Sequence, residues 1–267
     1  MKSSQWTTAW MAACMIAMFC ISCSAADPMD VVEGEDGVAD PAADADAPNT
    51  DLTPHIPGLV KLGNVRVYTI EKRVEFDAMI ALTPGVLIEV LACHPRGKVH
   101  ETVMTANVQP SFVHAGLELI GLKRGTPVSY GDGKKPPTGP PVRISVRWDV
   151  DGETKRVRAE DLLYDVKNEK PMEHQDWVFC GSVENPDGEI SYVADITGNI
   201  ITTYNDPTTV IDNPSKGGDD DELLEINGKV CPEPGTLVTL ILEPGGEDAE
   251  EKDADETPQE TPDEAPY

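Results

Sequence analysis

Residues 92–101, ACHPRGKVHE, hold the densest chemistry of the chain: a thiol, two imidazoles, two cations and a carboxylate around one proline and one glycine. Thiolate, imidazole and carboxylate are the ligand types that zinc takes. Cys93, His94, His100 and Glu101 are therefore a candidate site for a divalent metal. The same residues could do thiol or acid–base chemistry if His94 or His100 polarised Cys93. The spacing restrains both readings. Tight zinc motifs repeat a ligand pair, and nothing here repeats. His100-Glu101 begins like the H-E-x-x-H motif of metalloproteases, but Met104 stands where the second histidine belongs. The competing reading is a strand, a turn and a strand. Pro95 starts the turn, Gly97 allows positive φ within it, and Glu89 or Glu101 pairs with Arg96 or Lys98. No cofactor other than that candidate metal is implied.

The remaining chemistry is scattered. Cys14 and Cys20 lie in the N-terminal apolar run, which leaves Cys93, Cys180 and Cys231 beyond Cys23. An exported protein favours disulfides, and three cysteines permit one bond with one left over. Cys93 and Cys180 both adjoin strongly apolar stretches and are the candidate pair, with buried inert thiols as the alternative. His114 falls between Val113 and Leu117 on a predicted helix and reads as a boundary residue. His174 reads as a loop residue with carboxylates on both sides, and His55 abuts a linker. Gly133-Lys134 lacks P-loop spacing, and Asp44-Ala45-Asp46 lacks the glycine and distal glutamate of an EF-hand.

Strand patterns must position these groups. Residues 65–70 alternate with period two, and 71–82 continue in extended character. Residues 86–92 are almost continuously apolar, as in a strand buried on both faces. Asp151-Gly152 between 142–150 and 155–158 marks a tight hairpin. Residues 177–180 and 190–195 read as strands, and Gly198-Asn199 before 200–204 as a further hairpin-like turn. Residues 224–226 and 236–242 close the domain, with 217–222 as an acidic loop between. Helix is confined to 110–122, where Val113, Leu117 and Ile120 share a stripe, and to a short acidic turn at 159–164. The expected fold is α+β: a mainly antiparallel β-sheet domain, one substantial helix packed on it, and disordered acidic tails.

The ends carry the extreme charge. Of the 48 acids behind the net charge of −27, nine lie in 27–53, ten in 245–267 and four in 219–222. That leaves 25 acids against 19 bases once Lys2 and Lys252 are set aside, which is ordinary. Segments rich in Ala, Pro, Thr, Asp and Glu bury too little surface to offset the entropy of ordering, so both tails are expected to be disordered. The acidity argues against a nucleic-acid partner. At the N-terminus, Lys2 precedes a short apolar run at 9–21 and small residues at 22–26, the layout of an export signal. Cys20-Ile21-Ser22-Cys23 resembles the bacterial lipobox, except that Cys20 stands where leucine is usual. Lipidation of Cys23 would anchor the chain, and cleavage after Ala25 or Ala26 would release it. No later apolar run is long enough to cross a membrane, so contact with one is expected only through the lipid anchor.

The layout is therefore a lipoprotein-like signal peptide at 1–23, an acidic linker at 24–53, a domain at 54–244 and an acidic tail at 245–267. The run Glu89-x-Leu91-Ala92-Cys93-x-Pro95-x-Gly97-Lys98-x-His100-Glu101-Thr102 resembles the signature of the YdjY-domain family of exported bacterial proteins. Leu117-x-x-Ile120-Gly121, Trp177-Val178-Phe179-x-Gly181-Ser182, Tyr192-x-Ala194-Asp195-x-x-Gly198-x-Ile200, Asn205-Asp206-Pro207 and Gly235-Thr236-x-Val238-Thr239-Leu240 extend the match across most of 54–244. The family's function is uncharacterised, so the resemblance implies domain limits and export and adds little chemistry. Some members carry cysteine clusters for iron–sulfur centres, whereas this chain has no C-x₂-C-x₂-C run. The expected function is a ligand- or partner-binding module of the cell envelope that is not an enzyme. The alternative is a metal protein or enzyme centred on Cys93, His94, His100 and Glu101.

Overall fold

Period-two alternation runs through the longest strands and decides which face of each is inside. A computed structural model of the chain describes residues 56–129, 135–185, 187–189 and 191–246. The N-terminal segment expected to be an export signal, with Cys23, the acidic linker, His55 and all but two residues of the acidic tail lie outside the described residues. In chain order the strands are β1 (Leu59–Leu62), β2 (Val65–Tyr68), β3 (Arg73–Ile80), β4 (Val90–Cys93), β5 (Thr102–Thr105), β6 (Pro141–Val150) and β7 (Glu153–Arg158). They continue as β8 (Leu163–Asp165), β9 (Lys170–Pro171), β10 (Trp177–Phe179), β11 (Asn199–Thr202), β12 (Ile211–Asp212), β13 (Leu224–Ile226) and β14 (Leu237–Pro244). The α-helices among the described residues are α1 (Pro110–Leu119) and α2 (Val193–Thr197).

Eight strands close into a barrel in the order β3, β14, β6, β10, β12, β11, β4, β5, with β5 pairing back to β3. The α+β expectation is thereby overturned: the domain is mostly β, and its two helices are short. Closure depends on one edge of β3 serving two partners in succession. Residues 73–75 pair with β2, and Met79 and Ile80 pair with Thr105 and Met104 of β5. Two residue pairs decide between an open sheet and a barrel, and no hydrophobic period in the sequence encodes them. Nor is the barrel wholly antiparallel, since β4–β5 and β11–β12 run parallel. Strands β1 and β2 extend the sheet beyond β3, and β7 extends it beyond β6.

The barrel interior is a packed core. Val74, Phe76, Ala78 and Ile80 of β3 face inward with Val142, Ile144, Val146 and Trp148 of β6 and Val238, Leu240 and Leu242 of β14, all buried. An eight-stranded barrel is just wide enough for side chains to fill, and here they form one continuous core. The outer face of the same strands is polar, and Glu75 lies buried there beside Arg73 (2.7 Å), Arg147 (3.5 Å) and Arg66 (3.8 Å). Helix α1 covers β2 and β3 through Val113 and Leu117, and Gly116 permits the close approach. A Cβ there would meet Val67 Cγ2 at 3.1 Å and Val74 Cγ1 at 3.3 Å.

One local expectation is met in full. The β6–β7 hairpin turns at Asp151 and Gly152, both with positive φ (54° and 83°), as a type I′ turn requires. Others are corrected. Residues 193–197 form α2 rather than a strand, and Gly198, at φ 79°, is its left-handed C-cap rather than a hairpin turn. A glycine ending a helix and one turning a hairpin satisfy the same positive-φ demand, so sequence alone does not separate them. Strand β4 starts only at Val90, because Leu87 makes one isolated bridge to Glu225 and is 44% exposed. The acidic loop opens with a 3₁₀ turn at Lys216–Asp219. A second, three-stranded sheet, β13–β8–β9, stands beside the barrel. No helix among the described residues is long and apolar enough to cross a membrane.

Candidate functional site

The signature turn after β4 resolves into a set of separate tasks. Cys93 is fully buried at the end of β4, where its carbonyl accepts from the Ala106 amide (2.9 Å), and burial pushes its thiol above the ordinary value. His94 donates its amide to Gly198 (2.8 Å), and its Nδ1 accepts from the Arg96 amide (3.1 Å). Burial first, and the Arg96 cation second, hold this imidazole below its usual range, so it is neutral at pH 7. Gly97 runs against α2: a Cβ would sit 2.9 Å from the Thr197 carbonyl oxygen. Lys98 Nζ donates to Glu89 Oε2 at 2.6 Å and pairs with Glu101 Oε1 at 2.9 Å. Burial alone would lower the Lys98 ammonium, but the two carboxylates outweigh it and hold the group well above its ordinary range. His100 points outward, 78% exposed, with Nε2 3.8 Å from Glu101 Oε2.

The thiol is thus in the core, one imidazole is folded onto Arg96, and the other is in solvent. The structure does not bring Cys93, His94, His100 and Glu101 around one point. Among the described residues no group of three or more His, Cys, Asp and Glu is placed to hold a metal ion. Cys93, Cys180 and Cys231 stand as free thiols. Cys180 follows β10 and Cys93 ends β4, three interstrand steps apart through β12 and β11. That is about 14 Å along the sheet, against the Cα separation of roughly 4.4–6.8 Å that a disulfide spans. The structure therefore does not pair Cys93 with Cys180.

His114 has more partners than its place on a helix suggested. Its Nδ1 lies 2.7 Å from Tyr192 Oη, and its Nε2 lies 3.4 Å from Glu118 Oε1. The Ser182 amide donates to Tyr192 Oη (3.2 Å), so the tyrosine proton is free to go to Nδ1 and the imidazole proton to Nε2. Burial is the first cause in both groups, lowering the His114 imidazole and raising the Tyr192 phenol. Both are therefore neutral at pH 7, and the pair fastens α1 to the segment after β10 without activating either group. Asp195 of α2 completes this junction. Its Oδ1 accepts the Ser111 amide (2.8 Å) and its Oδ2 the Gln109 side chain (2.9 Å), capping α1 from 84 residues away.

A cavity of about 420 Å³ opens beside the second sheet. The turn between β8 and β9, the loop leading into β10 and the segment after β12 form its walls. Asn168, Gln175 and Asn213 present amides, Met172, Leu223 and Leu224 supply apolar lining, and Lys170, Lys216, Asp165 and Glu173 carry charges of both signs. The turn is pre-shaped by Asp165, which accepts the Lys167 amide (3.0 Å), the Asn168 amide (2.9 Å) and the Asn168 side chain (2.7 Å). Slight burial would raise this carboxyl, but those hydrogen bonds outweigh it and hold it below the usual range. Lys167 pairs with Asp220, and Lys170 with Glu173. Gln175 Nε2 donates to Asn213 Oδ1 (2.8 Å), which also accepts the Ser215 amide (3.0 Å), so the amide wall is internally braced. These residues come from segments far apart in the chain, and no local motif announces them. Two smaller clefts, of about 330 and 320 Å³, flank Asp77 on the outer barrel face. Arg66 closes its fork on that carboxylate at 2.7 and 3.0 Å.

A family model described as the YdjY domain matches residues 64–243, which include the whole barrel from β3 to β14 except the last residue, together with the second sheet. No curated protein and no solved structure matches the chain.

Proposed function

The chain belongs to the YdjY domain family, and from that premise we propose that it is a binding module of the cell envelope that holds a small zwitterionic ligand, such as a short peptide, in the cavity beside its second sheet. The observation that carries this reading is the lining of that cavity. At about 420 Å³ it lies in the range of small-molecule sites, roughly 300–1,000 Å³. Braced amides suit peptide-like groups, carboxylates suit an ammonium, and Lys170 and Lys216 suit a carboxylate. The signature turn supports the same reading by elimination, since its reactive side chains diverge and its one ion-pair cluster clamps the backbone. Export rests on the N-terminal pattern, with Cys23 as the lipid-bearing residue.

Trialanine tests the ligand class. Its addition to the mature protein shifts the Asn168, Gln175 and Asn213 resonances in a saturable way, and N-acetyl-trialanine amide, which lacks both charges, binds more weakly. Gln175→Ala and Lys216→Glu weaken the interaction. No saturable shift at millimolar trialanine, or shifts elsewhere only, refutes the cavity reading. Mass spectrometry of the mature N-terminus tests the anchor: a diacylglyceryl-modified Cys23 supports it, and an unmodified start at Ala26 or Asp27 overturns it.

A further inference from the structure

We propose that Asp212 is a proton-sensitive strut behind the amide wall of the cavity, so that ionisation of this one carboxyl loosens the wall. The inference deepens the binding reading above, because the strut regulates the site named there. Asp212 is fully buried at the end of the barrel strand β12, immediately before the segment that lines the cavity. All its hydrogen bonds converge on one oxygen. Oδ1 accepts Thr202 Oγ1 at 3.0 Å, Asn205 Nδ2 at 3.1 Å and the Asn213 amide at 2.8 Å. Oδ2 is buried with no hydrogen-bond partner. A carboxylate so placed carries charge on a buried oxygen that makes no hydrogen bond, which is costly. A proton on Oδ2 removes the charge, the larger part of that cost, and leaves the Oδ1 contacts in place.

The strut reaches the cavity through two asparagines. Asn213, held by Asp212, presents Oδ1 to Gln175 and Ser215 in the cavity wall, and its Nδ2 donates to the Thr203 carbonyl (2.9 Å). Asn205 donates to the Asn213 carbonyl at 2.6 Å, and its own amide donates to Gly218 (2.6 Å) beyond the cavity-lining Gly217. Burial favours the proton, and the donors that face Asp212 favour the ionised form without outweighing it. The Cys180 thiol faces it from the end of β10, and burial keeps that thiol neutral, well above its ordinary value. The Asp206 amide faces it from the loop, with the Asp206 carboxylate already engaged by Asn199 and Thr208. From β11 the facing group is the neutral Thr202 hydroxyl. In keeping with this setting, burial pushes the Asp212 carboxyl up to about 7, against the pull of its donors.

A pH titration of the mature protein without ligand tests the strut. The Asn213 and Ser215 amides and the Gln175 side chain should share a transition near neutral pH that Asp212→Asn abolishes and His174→Asn leaves in place. Should Asp212→Asn fail to fold, Thr202→Val serves instead. Removing one donor to the ionised form moves the same transition to higher pH. No shared transition between pH 5 and 9, or one unmoved in every variant that folds, overturns the strut while leaving the cavity reading intact. Trialanine affinity then separates the two ideas. Wild type should bind about fivefold more weakly at pH 8 than at pH 6 relative to Asp212→Asn, a typical allosteric coupling. Equal pH dependence in both proteins overturns the regulatory role, and absence of binding at either pH overturns the cavity reading alone.

Discussion

Lys98→Met is the sharpest test of whether the signature turn is architecture or chemistry. The substitution keeps most of the aliphatic stem and removes the ammonium that lies 2.6 Å from Glu89 and 2.9 Å from Glu101. Lys98 is 42% exposed and its two partners 23% and 20%, so the cluster sits between a surface pair and a buried one. Exposed ion pairs contribute about 0.2–1 kcal/mol each, and hydrogen bonds to charged groups about 1.5–3 kcal/mol. Taking about 1 kcal/mol per contact after screening gives a loss of about 2 kcal/mol, since two half-buried carboxylates are also left facing one another. The backbone explains why the loss should be global. The Glu89 amide donates to the Glu101 carbonyl (3.1 Å), and the Glu89 carbonyl accepts the Thr203 and Tyr204 amides (2.9 and 3.0 Å), so the clamp ties β4, the turn and the exit of β11 together. Urea unfolding at pH 7 should show a lower midpoint with an unchanged slope, and 1 M NaCl should narrow the gap from wild type. His100→Ala, at an exposed imidazole, should stay within about 0.5 kcal/mol of wild type. If Lys98→Met is within about 0.5 kcal/mol of wild type while His100→Ala costs more than about 1.5 kcal/mol, the imidazole organises the turn and the architectural reading is wrong.

Three further outcomes follow from the same structure. Glu160 is fully buried and accepts the Trp177 indole N–H at 2.6 Å beside Arg158. Glu160→Ala should therefore cost about 3–5 kcal/mol in chemical denaturation, and Glu160→Gln, which keeps an acceptor, about 1–2 kcal/mol. Asp195→Ala removes the remote cap of α1 and should cost about 1 kcal/mol, with Asp195→Asn milder; equal stability of Asp195→Ala and wild type in thermal unfolding refutes the cap. Asp212 has a folded pKa of about 7 against an ordinary 3.8, so the folded state holds a proton that the unfolded state has released. Its contribution is thus favourable below pH 4 and falls as pH rises to 7. Asp212→Asn should gain on wild type by up to about 1.4 kcal/mol per pH unit across that window and level off above it; a flat difference refutes the assignment.

The sequence carried what local chemistry dictates. The β6–β7 hairpin was legible because Asp151-Gly152 admits few other conformations, and α1 because Val113 and Leu117 repeat at helical spacing. The signature turn was legible as a place but not as a geometry. Cys93, His94 and His100 have the right types for a metal, and only the pleat of β4 and the 3₁₀ turn at Val99–Glu101 show that they diverge. Barrel closure was illegible for another reason. It rests on Met79 and Ile80 meeting Thr105 and Met104, and the side chains at those positions fit an open sheet under a helix equally well. The cavity was the hardest to foresee, since Asn168, Gln175 and Asn213 are unremarkable in sequence and gain meaning only when three loops meet. Asn205-Asp206-Pro207 shows where a signal did exist. It was visible as a family-like segment, and the structure gives such a segment a physical reason: it is the bend that delivers Asn205 to Asp212 and Asn213. Residues that recur in a family pattern can thus serve the buried support of a site rather than its surface, and the variants that discriminate are those at Asp212 and Thr202 rather than at the cysteine and histidines that first drew notice.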